Sequence, residues 1–199
     1  PSVSLVISAY NEEHVLPKKI ENALALGYPR DLLEIAVISD GSTDNTNNII
    51  RNFTEQSGNI LPCISQHHKG KTACLNDFVP RLKGEMIIFS DANSFYDKDL
   101  IRRIVRSFAD PGIGLVTGST RYIAPSKAES TSGTGLYSGL EKLTKSLETR
   151  TGSCVGADGA VFAIRKSLFS PLNPDDINDL VMTFQVVSCL LYTSDAADE

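Results

Sequence analysis

Leu33-Glu-Ile-Ala-Val-Ile-Ser39 runs straight into Asp40-Gly-Ser-Thr-Asp44, an apolar strand that stops on an acid and a turn. A near-continuous apolar run of this length reads as a strand buried on both faces, which is the habit of parallel sheets. The same grammar repeats outward from it. Upstream, Val3-Ser-Leu-Val-Ile-Ser-Ala9 is a strand ended by Tyr10-Asn-Glu-Glu13, and Leu16, Ile20 and Leu24 then recur at helical spacing. Downstream, Thr46, Ile49, Ile50 and Phe53 mark a helix, Ile60 to Ile64 a strand, and Ala73 to Val79 a short helix. Glu85-Met-Ile-Ile-Phe-Ser90 is a fourth strand running into Asp91-Ala-Asn93, and Leu100, Ile101, Ile104, Val105 and Phe108 line the next helix. Strands alternating with helices predict an α/β fold, a mostly parallel sheet covered by helices on both faces.

The second half is less regular. Ile113 to Ile123 reads as a strand, and Ala124 to Gly135, rich in Ser, Thr and Gly, as a loop. Leu136, Leu140, Leu143 and Leu147 form a helical stripe, Val161 to Ile164 a strand, and a last helix is predicted to begin near Asp179. With 199 residues the chain has the size of one domain. We expect residues 1–188 to form it, 1–95 as a nucleotide-binding half and 96–188 as an acceptor-side half. Residues 189–199 (CLLYTSDAADE) break the pattern and resemble a translated sequencing adapter, so we expect a non-native tail outside a domain cut short at its C-terminus.

Composition narrows the function. A net charge of −5 argues against nucleic acid or anionic lipid as the main partner, because both need a basic face. No apolar run reaches the roughly 20 residues that span a bilayer. Cys63, Cys74, Cys154 and Cys189 show no paired spacing, which favours a reducing compartment over a disulfide framework or a structural zinc site.

In open α/β sheets, ligands bind beyond the carboxyl ends of the strands. Polar clusters stand at three such ends: Tyr10–Glu13, Asp40–Asp44 and Asp91–Asn93. Helix capping explains Glu13, Asp44 and Asp97 well. It explains Asp40 and Asp91 poorly, since each directly ends an apolar strand. A phosphate loop at His67-His-Lys-Gly-Lys-Thr72 is rejected, because the motif needs Gly where Ser65 stands and follows a first strand, not a third. A phosphatase with Asp91 as nucleophile leaves Asp40 and Lys71 together unexplained.

Six motifs in order carry a resemblance: Ala9-Tyr-Asn-Glu-Glu13, Ser39-Asp-Gly-Ser-Thr-Asp44, Gly70-Lys-Thr-Ala-Cys-Leu-Asn76, Asp91-Ala-Asn93, Gly156-Ala-Asp-Gly-Ala-Val-Phe-Ala-Ile-Arg165 and Asn178-Asp-Leu180. Together they are similar to family 2 glycosyltransferases of the GT-A fold, a Rossmann-like, mostly parallel mixed sheet flanked by helices. The relatives most resembled are membrane-bound synthases of surface or extracellular polysaccharide.

The resemblance implies an inverting transfer of sugar from a nucleotide-diphosphate donor, usually a uridine one, to a glycan or lipid-linked acceptor. It implies donor contacts at Ala9, Asn11, Glu12, Asp40 and Asp91, with Lys71 near the phosphates. It implies a divalent metal, Mg²⁺ or Mn²⁺, at Asp91 and Asn93, although Asn93 is neutral where the family usually carries an acid. Gly156, Ala157 and Asp158 would lie on the acceptor side. Asp179 matches the family's catalytic base, with Asp175 and Asp176 as nearby rivals. Membrane attachment, on the cytoplasmic face, would come through segments absent from this chain, and the family's Gln-x-x-Arg-Trp motif does not occur in it. A sugar-nucleotide-binding module without turnover is the alternative.

Overall fold

The computed structural model describes residues 1–118, 157, 159–189 and 191–195. Four strands follow the predicted rhythm: β1 (Val3–Ala9), β2 (Leu33–Asp40), β3 (Ile60–Ser65) and β4 (Met86–Asp91). Between and after them come α1 (Leu16–Leu24), α2 (Thr46–Gln56), α3 (Lys71–Phe78) and α4 (Leu100–Ser107). Then follow β5 (Ile113–Thr117), β6 (Val161–Arg165), α5 (Asn178–Ser188) and β7 (Tyr192–Asp195).

One mixed sheet results, in the order β3-β2-β1-β4-β6-β5-β7. β1 pairs parallel with β2 and with β4, and β2 pairs parallel with β3. β6 runs antiparallel between β4 and β5. Alternate residues of a strand face opposite sides, so the apolar runs supply two cores. Val3, Leu5, Ile7, Ile35, Val37 and Ile88 pack under α1, α2 and α4, against Leu16, Ile20, Ile50, Ile101 and Ile104. Val6, Ala36, Ile38, Ile87, Phe89 and Phe162 pack under α3 and α5, against Cys74, Leu75, Met182 and Val186. Each fully buried Leu or Ile contributes about 1.5–3 kcal/mol of transfer free energy. The architecture is a single α/β domain, helices on both faces of a mixed sheet, as the alternation predicts.

The differences are local. The helix expected over 73–79 begins two residues earlier, at Lys71, which puts that lysine on a helix start instead of a loop. The strand expected over 113–123 is described only to Thr117, and Gly118 closes its pairing by donating to the Val161 carbonyl at 2.9 Å. Residues 119–123, the loop at 124–135 and the stripe at 136–147 lie outside the described residues.

The reading of 189–199 as a tail outside the fold meets a difference as well. Tyr192–Asp195 form β7 and pair parallel with β5. Leu191 packs against the α3–α5 core, and Thr193 is buried. An edge strand offers a row of backbone donors and acceptors to any extended segment. Pairing of that kind depends little on side chains, so it is independent of the segment's origin.

Deleting residues 189–199 should therefore lower Tm measurably, by about 2–4 °C for each kcal/mol of lost pairing and packing. An unchanged Tm in calorimetry would return the segment to the status of a bystander.

Candidate active site

Parallel pairing brings the ends of β1, β2 and β4 to one rim, with Ala9 opposite Ser39 and Ser8 opposite Asp91. The loops beyond those ends build the site. After β1, Ala9 is buried and Asn11 adopts φ 54°, a left-handed conformation that asparagine tolerates better than most residues. Its backbone N–H donates to Ser42 Oγ at 3.1 Å, and its Oδ1 accepts from the Thr43 N–H at 2.9 Å. The Glu12 N–H donates to Thr46 Oγ1 at 2.9 Å, and the Glu13 N–H to Asp44 Oδ2 at 3.1 Å. Glu13 in return accepts from the Asn45 N–H at 2.9 Å. The 10–13 loop is thus zipped to the turn after β2, and Asp44 and Glu13 have the structural roles that capping predicts.

Asp40 is nearly sealed, 5% exposed. Its carboxylate accepts from the N–H groups of Lys69 and Gly70, both at 2.9 Å, and from the Cys74 thiol at 3.2 Å. His68 Nδ1 lies 2.9 Å from it. Burial pushes the carboxyl's pKa up, but the backbone donors, the Cys74 thiol and the His68 charge outweigh burial and hold it below the usual carboxylate value. Gly41 makes this closeness possible, since a Cβ there would meet the His68 backbone nitrogen at 2.3 Å. Asp40 therefore fastens the 67–70 loop to β2. Over that loop the Tyr10 and His68 rings stack, centroids 4.1 Å apart, with Tyr10 45% exposed.

The loop so fastened delivers Lys71 at the start of α3. Its Nζ reaches Asp91 Oδ1 at 2.7 Å, both side chains partly open to solvent. Asn93 is exposed on the turn beyond β4. α3 is tied in turn to the chain leading into α5. Asn76 donates to the Leu172 carbonyl at 2.7 Å and accepts its N–H at 2.9 Å, while Thr72 donates to the Asp176 carbonyl at 3.1 Å.

Because β6 runs antiparallel, its first residues return to the same rim. The Ala160 carbonyl accepts from the Asp91 N–H at 3.5 Å. Beside it lies Gly159, where a Cβ would meet Asp179 Oδ2 at 2.7 Å. Asp179, in the first turn of α5, is half-buried and accepts from the Leu180 N–H at 2.9 Å. Residues 159–160 thus bridge Asp91 to Asp179. Asp176 is engaged in its own turn, accepting from the Asn173 N–H at 2.8 Å, and Asp175 is exposed. Ala157 is half-buried, and Gly156 and Asp158 lie outside the described residues.

Sequence reasoning passed over His68 and Lys19. His68 stood out only within the phosphate-loop look-alike, and Gly159, read within the 156–165 motif as a place for close approach to a sugar, lies instead against the Asp179 carboxylate. Lys19 carried a usable signal: it lies three residues after Leu16, on the face that α1 buries. Burial pushes the Cys63 thiol up to about 11, and burial together with its bond to Asp40 pushes the Cys74 thiol up to about 12, so neither of these two presents a thiolate at neutral pH. Among the described residues no three His, Cys, Asp or Glu side chains cluster as metal ligands.

The family model described as Glycosyl transferase family 2 matches residues 4–171. The poly-beta-1,6-N-acetyl-D-glucosamine synthase of Staphylococcus aureus is 28% identical over 166 residues, 83% of this chain and 40% of that protein. Among solved structures, a mannosyltransferase from Pyrobaculum calidifontis in complex with GDP-Man and Mn²⁺ matches with TM-score 0.85 at 21% identity, over 98% of this chain and 54% of that one. The S. aureus TarS fragment 1–349 in complex with UDP-GlcNAc matches with TM-score 0.71 at 16% identity, over 100% of this chain and 57% of that one. This chain spans 24% to 40% of the length of the curated relatives it matches. The chain belongs to glycosyl transferase family 2, and its fold is that of the GT-A glycosyltransferases.

The Asp40 cluster makes a pH prediction. A carboxyl whose folded pKa lies below its unfolded value of about 4 stabilises the fold above that pH and loses the contribution as pH falls through the folded pKa. Asp40→Asn should cost about 1–3 kcal/mol at pH 7, because it sets an amide N–H against a backbone N–H. It should also flatten the loss of Tm below pH 4. Equal acid sensitivity in both proteins would assign that limb to other groups.

Proposed function

We propose that this family 2 glycosyltransferase chain carries the donor site and the base of an inverting transfer from a uridine diphosphate sugar to a glycan or lipid-linked acceptor, in the assembly of surface or extracellular polysaccharide. The observation that carries the reading is the Lys71–Asp91 pair at the sheet rim, with Asp179 joined to the same rim through Gly159 and Ala160. The relative named as a polysaccharide synthase supports the product class, and the neighbour holding UDP-GlcNAc supports the donor class.

In this reading Asn11, Glu12 and the exposed Tyr10 ring line the base and ribose end beside buried Ala9. Asp40 would meet the base only by giving up a bond to the 67–70 loop, so its main part is to hold Lys71 in place. Lys71, a compact cation, leaves Asp91 to neutralise donor phosphate. Asp91 and Asn93 supply hard oxygen atoms, one anionic and one amide, on one turn. A pair that sparse fits Mg²⁺ or Mn²⁺ completed by water and diphosphate oxygens, as such ions prefer beside nucleotides. A cation bound there would offset the charge that grows on the leaving diphosphate.

The chemical step is a single displacement. Asp179 takes the proton of an acceptor hydroxyl while that oxygen attacks the anomeric carbon. The bond to the diphosphate breaks on the opposite face and its electrons leave with the diphosphate. The configuration inverts, and no covalent sugar–protein bond forms. Among the described residues no helix is long and apolar enough to cross a membrane. In this reading, attachment to the cytoplasmic face would come through further segments of a longer protein.

Calorimetric titration with UDP, GDP and TDP sugars tests the donor assignment. UDP-sugar should bind best, and a chelator should weaken it. Affinity indifferent to chelator would remove the metal from Asp91 and Asn93.

Asp179→Asn keeps the shape of the site and removes the basicity. In the full-length protein it should cut transfer about 10²- to 10⁴-fold while UDP-sugar binding persists. Undiminished transfer would move the base to Asp175 or Asp176. Donor binding without transfer in the wild type would favour the non-catalytic binding module.

A further inference from the structure

Lys19 is completely buried in the middle of α1, on the face that also carries Leu16, Ile20 and Ala23. Lysine is almost never fully buried unless something holds its head. Here the Nζ donates to the Ser94 carbonyl and lies 3.6 Å from the centroid of the Tyr96 ring. One turn along the helix, Asn22 brackets the Tyr96 backbone. Its Nδ2 donates to the Tyr96 carbonyl at 3.0 Å, and its Oδ1 accepts from the Tyr96 N–H at 2.9 Å. The Tyr96 hydroxyl then donates to Ser90 Oγ on β4 and lies 3.3 Å from the Ala160 carbonyl. The chain following Asp91-Ala-Asn93 is thus held from the α1 side at Ser94 and Tyr96.

Packing alone does not explain a lysine here. A methionine fills a similar volume without the cost of desolvating a charge. Burial draws the ammonium down to about 7, with the Asp91 charge opposing, yet both the charged and the neutral amine keep N–H groups to donate. The bond to Ser94 therefore survives either state. What the lysine adds over an apolar residue is a directed hold on the turn that carries Asp91 and Asn93.

We propose that Lys19 and Asn22 are positioning residues for the donor diphosphate: from inside α1 they fix the 91–96 turn so that Asp91 and Asn93 present their oxygens to the phosphate-bound cation together. The inference rests on the proposed donor site. Its physical reason lies at Asn93. A neutral amide binds a hard cation less strongly than a carboxylate does, so a site using one depends more on where that oxygen is held. Residues that orient a ligand from behind commonly change metal affinity by about 10- to 100-fold when removed.

The test compares UDP with Mn²⁺, UDP with chelator, and uridine, titrated into the wild type, Lys19→Met and Asn22→Ala, with circular dichroism as the check on folding. Both variants should lose affinity for UDP–Mn²⁺ about 10- to 100-fold, while uridine binds as it does to the wild type. A variant that was merely misfolded would lose uridine and UDP–Mn²⁺ in proportion, and that proportional loss would overturn the proposal. So would a folded variant that keeps the full gain from Mn²⁺. Should Lys19→Met fail to fold, Asn22→Ala, on a half-buried side chain, decides the matter by the same two criteria. A wild type that gains nothing from Mn²⁺ removes the donor–metal reading, and this inference with it, which is a different result from variants that match a Mn²⁺-dependent wild type.

Discussion

β1 hydrogen-bonds to β2 on one side and to β4 on the other, both parallel and each in unbroken register. Parallel neighbours start and stop together, so three chain reversals must leave the sheet from one edge. At that edge backbone groups have lost their ladder partners and need others. Polar residues collect there for that reason before any ligand is considered. The side chains of Asn11, Ser42, Asp44 and Thr46 accept from the backbone N–H groups of Asn11, Glu12, Glu13, Thr43 and Thr46 across two loops.

This separates acids that look alike in one dimension. Asp40 and Asp91 both end apolar strands, yet their neighbours give them different work. Asp40 is enclosed by the 67–70 loop and spends its oxygens on backbone N–H groups. Among the described residues the Asp91 carboxylate is bonded to the tip of a lysine, Lys71, and stays partly open. A carboxylate already saturated by fixed donors is a strut, and one paired with a mobile ammonium can exchange partners. The loop that Asp40 holds leads directly into Lys71, so the strut sets the position of the exchangeable pair.

The second half of the chain reaches the same rim by another route. β6 runs against β4, and its first residues therefore lie beside Asp91 instead of at the far end of the sheet. Gly159 lets Asp179 approach to a distance that any side chain would block, and the Asn76 clamp on Leu172 keeps the chain before α5 against α3. On the other face, Lys19 and Asn22 hold the turn after Asp91 from α1. Helices of both layers converge on one turn of four residues, Asp91 to Ser94.

Read alone, the sequence determined the alternation of strands and helices, the two-sided burial of the sheet, and the strand ends where polar groups gather. Those features depend on local periodicity and on the residues next to each strand, such as Ile35 to Asp40 and Met86 to Asp91. It also marked Lys71, Asp91 and Asp179 through motif order. Tertiary structure alone decided the antiparallel course of β6, the attachment of Tyr192–Asp195 to β5, the enclosure of Asp40 and the burial of Lys19. Each depends on a partner distant in the chain: Ile164 for Ile87, Thr117 for Asp195, Gly70 for Asp40, Ser94 for Lys19. Side-chain periodicity reports which face of an element is apolar. It carries no information on which distant backbone carbonyl a buried ammonium will find, because that depends on how the layers close.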